Sequence, residues 1–229
     1  MMERTLIRNV NIFSDLKDRE VDKILEIVEK KDFIKDSTIL TQDDLGDALF
    51  IIVSGRVKVV LMGEEGKEIT LSTLKEGAFF GEMSLLDGEP RSASVVALED
   101  SSLLIMKRDE FLNQIRKSPG IALKIMIEMS KRLRRADEKI GSLALLDVYG
   151  RIAQVLIQLA KSEEGGTKKA IIIKKRPTHQ EIANMVGTSR ETVSRVLSDL
   201  SKEGYITIKG KEILIHKDLS PVESLGHHF

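Results

Sequence analysis

Residues 178–203, THQEIANMVGTSRETVSRVLSDLSKE, restrict what this chain can become more than any other stretch. Their pattern predicts two short helices joined by a tight turn. Thr178 suits an N-cap, and Glu181 three residues later completes a capping box. Ile182, Ala183 and Val186 then fall on one apolar face, and Gly187 can take the positive φ that ends a helix. Ser189 caps a second helix with Val193, Val196, Leu197 and Leu200 on its apolar face. Its other face carries Arg190, Glu191, Thr192, Ser194 and Arg195. A polar second helix of this kind suits the major groove of DNA. The bland alternative is a plain helical hairpin. Against it stands the segment that follows, residues 204–215, GYITIKGKEILI, whose two alternating apolar runs flank Lys209-Gly210-Lys211. That reads as a wing of two strands beside a helix-turn-helix.

The formal net charge is zero, which looks wrong for a DNA binder until the chain is divided. Residues 168–217 hold eleven Lys/Arg and five Asp/Glu, a surplus of six positive charges, so the remainder carries an equal negative surplus. A basic C-terminal module attracts phosphates, and an acidic body discourages spread along non-specific DNA. The chain of 229 residues suffices for two domains with their own cores. Cysteine and Trp are absent. The cores must be aliphatic, and disulfides, thiolate-held iron–sulfur clusters and cysteine-ligated zinc are excluded. No apolar run reaches the roughly 18 residues of a membrane helix, and MMERTLIRNV lacks the apolar region of a signal peptide. A soluble cytoplasmic protein without membrane association is expected. No nucleophile–base pair or metal-ligand spacing points to an enzyme.

Residues 15–30 carry a helical period. From residue 32 to 106 the character changes to short β-branched runs at 33–40, 49–54, 57–61, 69–74, 92–97 and 103–106. Turns at Gly46-Asp47, Gly55, residues 63–66, Gly77 and Asp87-Gly88 separate them. Many short strands at this spacing imply an antiparallel barrel or sandwich. A short helix is expected at 109–116, stopped near Pro119, and a long one from about 121 to 145. Within the long helix, Met126, Leu133 and Ile140 are seven apart, and so are Met129, Ala136 and Leu143. That is the a/d seam of a two-stranded coiled coil, and it predicts a homodimer. The alternative is a stripe packed on the chain's own barrel. Gly141-Ser142 is expected to interrupt this helix late. Asp147 suits the cap of a further helix over 148–161, and 162–169 reads as a polar loop.

Residues 77–94, GAFFGEMSLLDGEPRSAS, form a second candidate site, with a turn of helix expected at 83–86. Arg91 offers a fork of donors, Ser92 a hydroxyl, and the backbone amides near Gly81 a nest, which together can hold one phosphate. Glu82, as a carboxylate, can accept from a sugar hydroxyl. A buried Glu82–Arg91 ion pair serving structure alone is the competing interpretation.

The combination of barrel, phosphate loop, long helix and winged helix-turn-helix resembles the catabolite activator / fumarate-nitrate regulator family (CRP/FNR) over essentially the whole chain. GEMSLLDGEPRSA resembles that family's phosphate-binding cassette, EKIGSLALLDVYGRIAQVLIQLAK its dimer helix and hinge, and HQEIANMVGTSRETVSRVL its DNA reader. The resemblance is nearest to the cyclic-AMP receptor branch. It implies an α+β fold: an N-terminal antiparallel β-roll or jelly roll over residues 1–118, a dimerisation helix and hinge over 119–146, and a winged helix-turn-helix over 147–229. It also implies a DNA-binding transcription regulator, a homodimer on a near-palindromic double-stranded site, with RNA polymerase as a further partner.

By position, the resemblance places Glu82 on the ribose 2′-hydroxyl and Arg91 and Ser92, with the Gly81, Met83 and Ser84 region, around the cyclic phosphate. In that branch two adjacent hydroxyl side chains of the dimer helix bond the adenine. The matching positions here are Ala136 and Asp137, which lack hydroxyls. Cyclic AMP is the implied effector, and cyclic GMP, a cyclic dinucleotide or no nucleotide stay open. The iron–sulfur branch needs cysteines. The haem branch needs an N-terminal histidine ligand, whereas His179, His216, His227 and His228 all lie late in the chain. No metal, haem or cluster is therefore expected, and His227-His228 reads as a tag remnant. For DNA, Arg190 and Arg195 suit guanine edges and Glu191 a cytosine amine. Thr178, Gln180, Ser189, Thr192, Lys209 and Lys211 suit phosphates, which position without specifying. His179 falls where relatives carry a basic phosphate contact, so its contribution should depend on pH. A signalling adaptor using the barrel alone would leave the helix-turn-helix unexplained.

Overall fold

The computed structural model describes residues 2–63, 66–162, 171–216 and 219. The expected loop at 162–169, the tip of the 63–66 turn and His227-His228 lie largely or wholly outside these. The chain divides into two compact units, Met1–Arg134 and Arg135–Phe229.

The first unit begins with helices α1 (Met2–Asn9) and α2 (Asp18–Ile27), followed by strands β1 (Val28–Phe33), β2 (Thr38–Leu40), β3 (Ala48–Ser54), β4 (Arg56–Met62), β5 (Glu68–Lys75) and β6 (Phe79–Phe80). Helix α3 (Glu82–Asp87), strands β7 (Ser94–Ala97) and β8 (Ser101–Lys107) and helix α4 (Arg108–Lys117) come next. The strands make two four-stranded antiparallel sheets, ordered β1-β8-β3-β6 and β2-β7-β4-β5. The β-roll expectation holds.

Strand β3 explains the layering. It is buried on both faces from Ala48 to Ile52, so alternation sends successive side chains to different cores. Ala48, Phe50 and Ile52 pack between the sheets with Val57, Leu74, Phe80, Val95 and Leu103. Leu49 and Ile51 turn the other way, against Ile7, Phe13, Val21, Ile24, Phe111, Ile121 and Ile125 of the helical segments. A helical layer thus covers one face of one sheet.

The expected strand at 33–40 is in fact two. Asp36 sits at φ 65°, and the backbone N–H of Ser37 donates to the carbonyl of Ile34 at 3.2 Å. The turn hands the chain from one sheet to the other, which a run of β-branched residues hides. The β strand also begins earlier than the helical period at 15–30 suggested, because α2 ends at Ile27.

Helix α5 (Pro119–Leu145) starts on a proline, whose missing N–H costs nothing in the first turn. Ile121 and Ile125 are buried on the first unit's core, and Met129 packs partly against it. Met126, Leu133, Ile140 and Leu143 are exposed, by 58, 64, 64 and 44%. The helix runs unbroken through Gly141 and Ser142, so the expected interruption does not occur. A single glycine weakens a long helix by only about 1 kcal/mol, too little to end it.

In the second unit α6 (Val148–Ser162) is capped as expected, Asp147 Oδ1 accepting from the N–H of Gly150 at 2.8 Å. Strand β9 (Ile171–Ile173), helices α7 (His179–Val186) and α8 (Arg190–Lys202), and strands β10 (Ile206–Lys209) and β11 (Glu212–Ile215) follow. A three-stranded sheet, β10-β11-β9, forms the wing. Ile152, Ala153, Leu156, Ile182, Val186, Val193, Val196, Leu197, Leu200, Ile206, Ile213 and Ile215 bury together as its core.

Candidate functional site

In the first unit, the chain leaves β6 through Gly81, which holds φ 83°. A Cβ at that position would lie 2.8 Å from Arg91 Nη1 and 3.1 Å from the Ala48 carbonyl oxygen. Only glycine lets the guanidinium come so close. Helix α3 starts at once and ends on Gly88, again left-handed at φ 81°. The chain then returns to Arg91, whose backbone is clipped to the β2–β3 loop. Its N–H donates to the Asp44 carbonyl at 2.8 Å, and its carbonyl accepts from the Asp43 N–H at 2.9 Å.

The Arg91 side chain is buried, with 4% of its surface exposed. Its Nη1 donates to the Gly81 carbonyl at 2.6 Å and its Nη2 to the Ala48 carbonyl at 2.8 Å. The group lies 5.9 Å from the centre of the Phe50 ring. Nε has no hydrogen-bond partner. Burial pulls Arg91 below its ordinary value, and the negative charges of Asp47 and Glu82 oppose this. Its partners are neutral carbonyls, so its charge stays available to an anion.

Glu82 is 1% exposed. Its Oε1 accepts from Arg132 Nη1 at 2.8 Å, while Oε2 has no partner. Burial raises the Glu82 carboxyl above the ordinary carboxylate value, and the Arg132 charge works against that rise. Arg132 also donates through Nη2 to the Phe79 carbonyl at 2.6 Å and sits 5.1 Å from the Phe79 ring centre. The ion pair anticipated as Glu82–Arg91 is therefore Glu82–Arg132. Arg91 reaches over β3 and the α3 entry, and the α5 cation takes the acid. Arg132 is a site residue that sequence reasoning missed. A charge three positions after Met129, itself facing the core, was the signal that it points inward.

Ser84 is buried, whereas Met83 and Ser92 are exposed, the Ser92 hydroxyl lying 3.7 Å from the Met83 sulfur. Ala136 and Asp137 are both exposed on α5. The geometry thus gathers Gly81, Glu82, Ser84 and Arg91 into one cradle. Gly46 closes it, since a Cβ there would lie 2.7 Å from Arg91 Cζ and 2.6 Å from Ser84 Cβ. A buried cation with spare donors beside a carboxylate oxygen lacking a donor fits an anionic group bonded to a hydroxyl-bearing one.

The second unit presents the other surface. The Thr178 capping box forms: Glu181 N–H donates to Thr178 Oγ1 at 3.2 Å and Thr178 N–H to Glu181 Oε2 at 2.6 Å. Gly187 closes α7 at φ 74°. Ser189 caps α8 by accepting from the Thr192 N–H at 3.1 Å, and the Ser189 and Thr192 hydroxyls lie 2.9 Å apart. Gln180 Nε2 donates to Asn184 Oδ1 at 2.8 Å. Arg190, Glu191 and Arg195 all project into solvent from the first turns of α8. Lys209 and Lys211 are exposed on the wing turn, where Gly210 holds φ 56°. Two guanidiniums on one helix opposite a buried aliphatic face, flanked by a basic turn, can read a duplex groove and grip its phosphates.

Two family models match this division. Residues 30–118 match the cyclic nucleotide-binding domain, and residues 150–220 match the Crp-like helix-turn-helix domain. The chain belongs to the CRP/FNR family of transcription regulators. Within that family it is 40% identical over 182 residues to the cAMP-activated global transcriptional regulator CRP of Escherichia coli O6:H1, covering 79% of this chain and 86% of that protein. It is 32% identical over 213 residues to the CRP-like cAMP-activated global transcriptional regulator of Mycobacterium tuberculosis, covering 92 and 94%. Among solved structures, the c-di-GMP responsive global regulator CLP of Xanthomonas campestris superposes with a TM-score of 0.77 at 25% identity, covering 88% of this chain and 100% of that one. CRP/FNR members are transcription regulators and not enzymes. Among the described residues no helix is long and apolar enough to cross a membrane, and no cluster of His, Cys, Asp and Glu could hold a metal ion.

Proposed function

We propose that this CRP/FNR regulator is a homodimer controlled by cyclic AMP, which alters how its helix-turn-helix engages a near-palindromic promoter site in the cytoplasm. The observation that carries the effector reading is the pairing of buried Arg91, bonded only to neutral carbonyls, with the partnerless Oε2 of buried Glu82. Arg91, the Ser92 hydroxyl and the amides near Gly81, Met83 and Ser84 take the cyclic phosphate, and Glu82 takes the ribose hydroxyl. Ala136 and Asp137 on α5 are the positions that choose the base.

Dimerisation rests on the exposed Met126, Leu133, Ile140 and Leu143 stripe of α5, which suits a second copy of the same helix. The division into effector region 1–118, dimer helix and hinge 119–146 and DNA-binding region 147–229 follows. Two second helices then reach successive major grooves about 34 Å apart. Arg190, Glu191 and Arg195 read base edges, while Thr178, His179, Gln180, Ser189, Thr192, Lys209 and Lys211 contact phosphates. RNA polymerase is the partner at the promoter. The nucleotide can shift the regulator only by as much as its affinity differs between the two arrangements.

A cyclic dinucleotide is the second reading, favoured by the absence of hydroxyls at Ala136 and Asp137 and by the c-di-GMP responsive structural relative. Titration calorimetry with cyclic AMP, cyclic GMP and cyclic di-GMP decides between them. Saturable binding of cyclic AMP that tightens DNA binding supports the first. Binding of none of the three overturns nucleotide control.

A further inference from the structure

A guanidinium and an imidazole meet at the start of the helix-turn-helix, and what they imply rests on the DNA-binding reading and deepens it. His179 is the first residue of α7, and its Nε2 lies 3.4 Å from Nη1 of Arg176. Arg176 is itself tied to the wing. Its Nε donates to the Gly210 carbonyl at 3.1 Å, and its backbone N–H donates to the Lys211 carbonyl at 2.9 Å. From α8, the Arg190 charge acts on the same imidazole. Glu181, two residues along α7, is turned back onto the Thr178 backbone N–H at 2.6 Å. The imidazole is therefore in contact with one guanidinium, from the segment before α7, and feels the charge of a second, from α8. Among the described residues no carboxylate acts on it.

This arrangement selects a neutral ring in the free protein. Arg176 can donate to Nε2 only while that nitrogen carries no proton. Partial burial first, then the Arg176 and Arg190 charges, hold His179 below the ordinary histidine value. A backbone phosphate brought against the cluster reverses the local field. It gives the Arg176 guanidinium an anionic partner and favours the doubly protonated ring as a further donor.

We propose that Arg176 and His179 form a proton-coupled phosphate site, in which contact with a DNA backbone phosphate draws one proton onto His179. Each DNA-bound module then takes up a proton, and binding tightens as the pH falls. A phosphate occurs at every step of a duplex, so the effect is independent of sequence. Arg176, held to the Gly210 and Lys211 carbonyls, ties the same event to the wing.

The test uses the full chain, with and without saturating cyclic AMP, and a labelled random-sequence duplex at constant ionic strength. Anisotropy titrations run from about pH 5 to 8, the range in which histidine titrates. Calorimetry in two buffers of different ionisation enthalpy counts the protons. Wild-type affinity should rise several-fold on acidification, with uptake approaching one proton per module. His179→Arg should bind tightly with no pH slope, and His179→Gln weakly with no slope. His216→Gln should keep the wild-type slope, since that ring pairs with the Thr207 hydroxyl at 2.7 Å on the wing. A slope or proton uptake that survives in His179→Gln overturns the proposal. So does wild-type binding that responds to salt but not to pH, and both results leave the DNA-binding reading standing. Absence of salt-dependent binding in wild type and in His179→Arg at every pH overturns both.

Discussion

Glu82 Oε1 and Arg132 Nη1 lie 2.8 Å apart, with the acid 1% and the base 26% exposed. The pair joins the head of α3 to α5 and leaves the second carboxylate oxygen without a donor. A buried carboxylate that loses its cation keeps its desolvation penalty. Arg132→Met should therefore destabilise the Met1–Arg134 unit by about 1–3 kcal/mol. Glu82→Gln in the same background should recover most of that loss. Denaturant titration of the single and double variants measures the coupling, and additive losses would mean that the two residues do not depend on each other.

The same burial sets a pH dependence. The Glu82 carboxyl is raised above its ordinary 4.5 by burial, against the pull of Arg132. As the pH climbs past that value the unfolded chain releases this proton first, and the folded state still holds it. The unfolded state then binds fewer protons, so stability falls with rising pH until folded Glu82 has ionised too. Glu20 acts oppositely and lower. The Lys17 backbone N–H and the Ser118 hydroxyl hold it below its usual value, so its contribution is lost as the pH falls. Denaturation midpoints from acid to neutral pH should fall less steeply in Glu82→Gln than in wild type above about 4.5.

Gly46 supplies a second probe of the cradle beside Arg91 itself. A Cβ there would meet Arg91 Cζ at 2.7 Å, so the guanidinium must move in Gly46→Ala. Moving the guanidinium misaims its fork, and the same Cβ would lie 2.6 Å from Ser84 Cβ. Gly46→Ala should weaken cyclic nucleotide binding at least about tenfold, or 1.4 kcal/mol, and lower the denaturation midpoint, because the buried Ser84 must shift as well. Calorimetry beside a melt reads both, and full affinity would show that Arg91 placement does not limit binding.

The helix-turn-helix was legible because every local rule agreed. The Thr178–Glu181 box, Gly187 and Ser189 all appear in the structure as read. The strands at 49–54, 57–61, 69–74 and 103–106 were legible for the same reason, β-branched runs with glycine turns. What escaped depends on partners distant in sequence. The two-residue β6 exists because Phe79 and Phe80 pair with Ile51 and Phe50, and β9 because Ile171–Ile173 joins β11. Neither run announces itself alone. Arg132 escaped likewise: a charge on a helix reads as solvated until the fold brings Glu82 to it.

The exposed face of α8 separates reading from gripping. Arg190 stands in its first turn with a solvent-facing guanidinium, and Lys211 stands on the wing turn. Arg190→Ala should cost about 1–3 kcal/mol on the cognate site and relax base preference at one position per half-site. Lys211→Ala should weaken cognate and random DNA alike and lower the salt slope by about one. Competition titrations at several salt concentrations distinguish them, and equal loss on both DNAs for Arg190→Ala would remove it from base reading.

Base choice is where this chain departs most from the cyclic-AMP pattern it otherwise resembles. Arg91 and Glu82 can hold a phosphate and a hydroxyl whatever base is attached, so neither discriminates. Ala136 has no polar side-chain atom, and the Asp137 carboxylate accepts but cannot donate. Adenine presents an amine that a carboxylate can accept and ring nitrogens that need donors. Guanine presents two neighbouring N–H groups that suit one carboxylate. Asp137→Ser with Ala136→Thr should therefore tighten cyclic AMP and shift preference away from cyclic GMP. Calorimetric titration of both nucleotides into both proteins measures the ratio of affinities. Tight cyclic AMP binding by the wild type, unmoved by the double change, would show that Ala136 and Asp137 do not read the base.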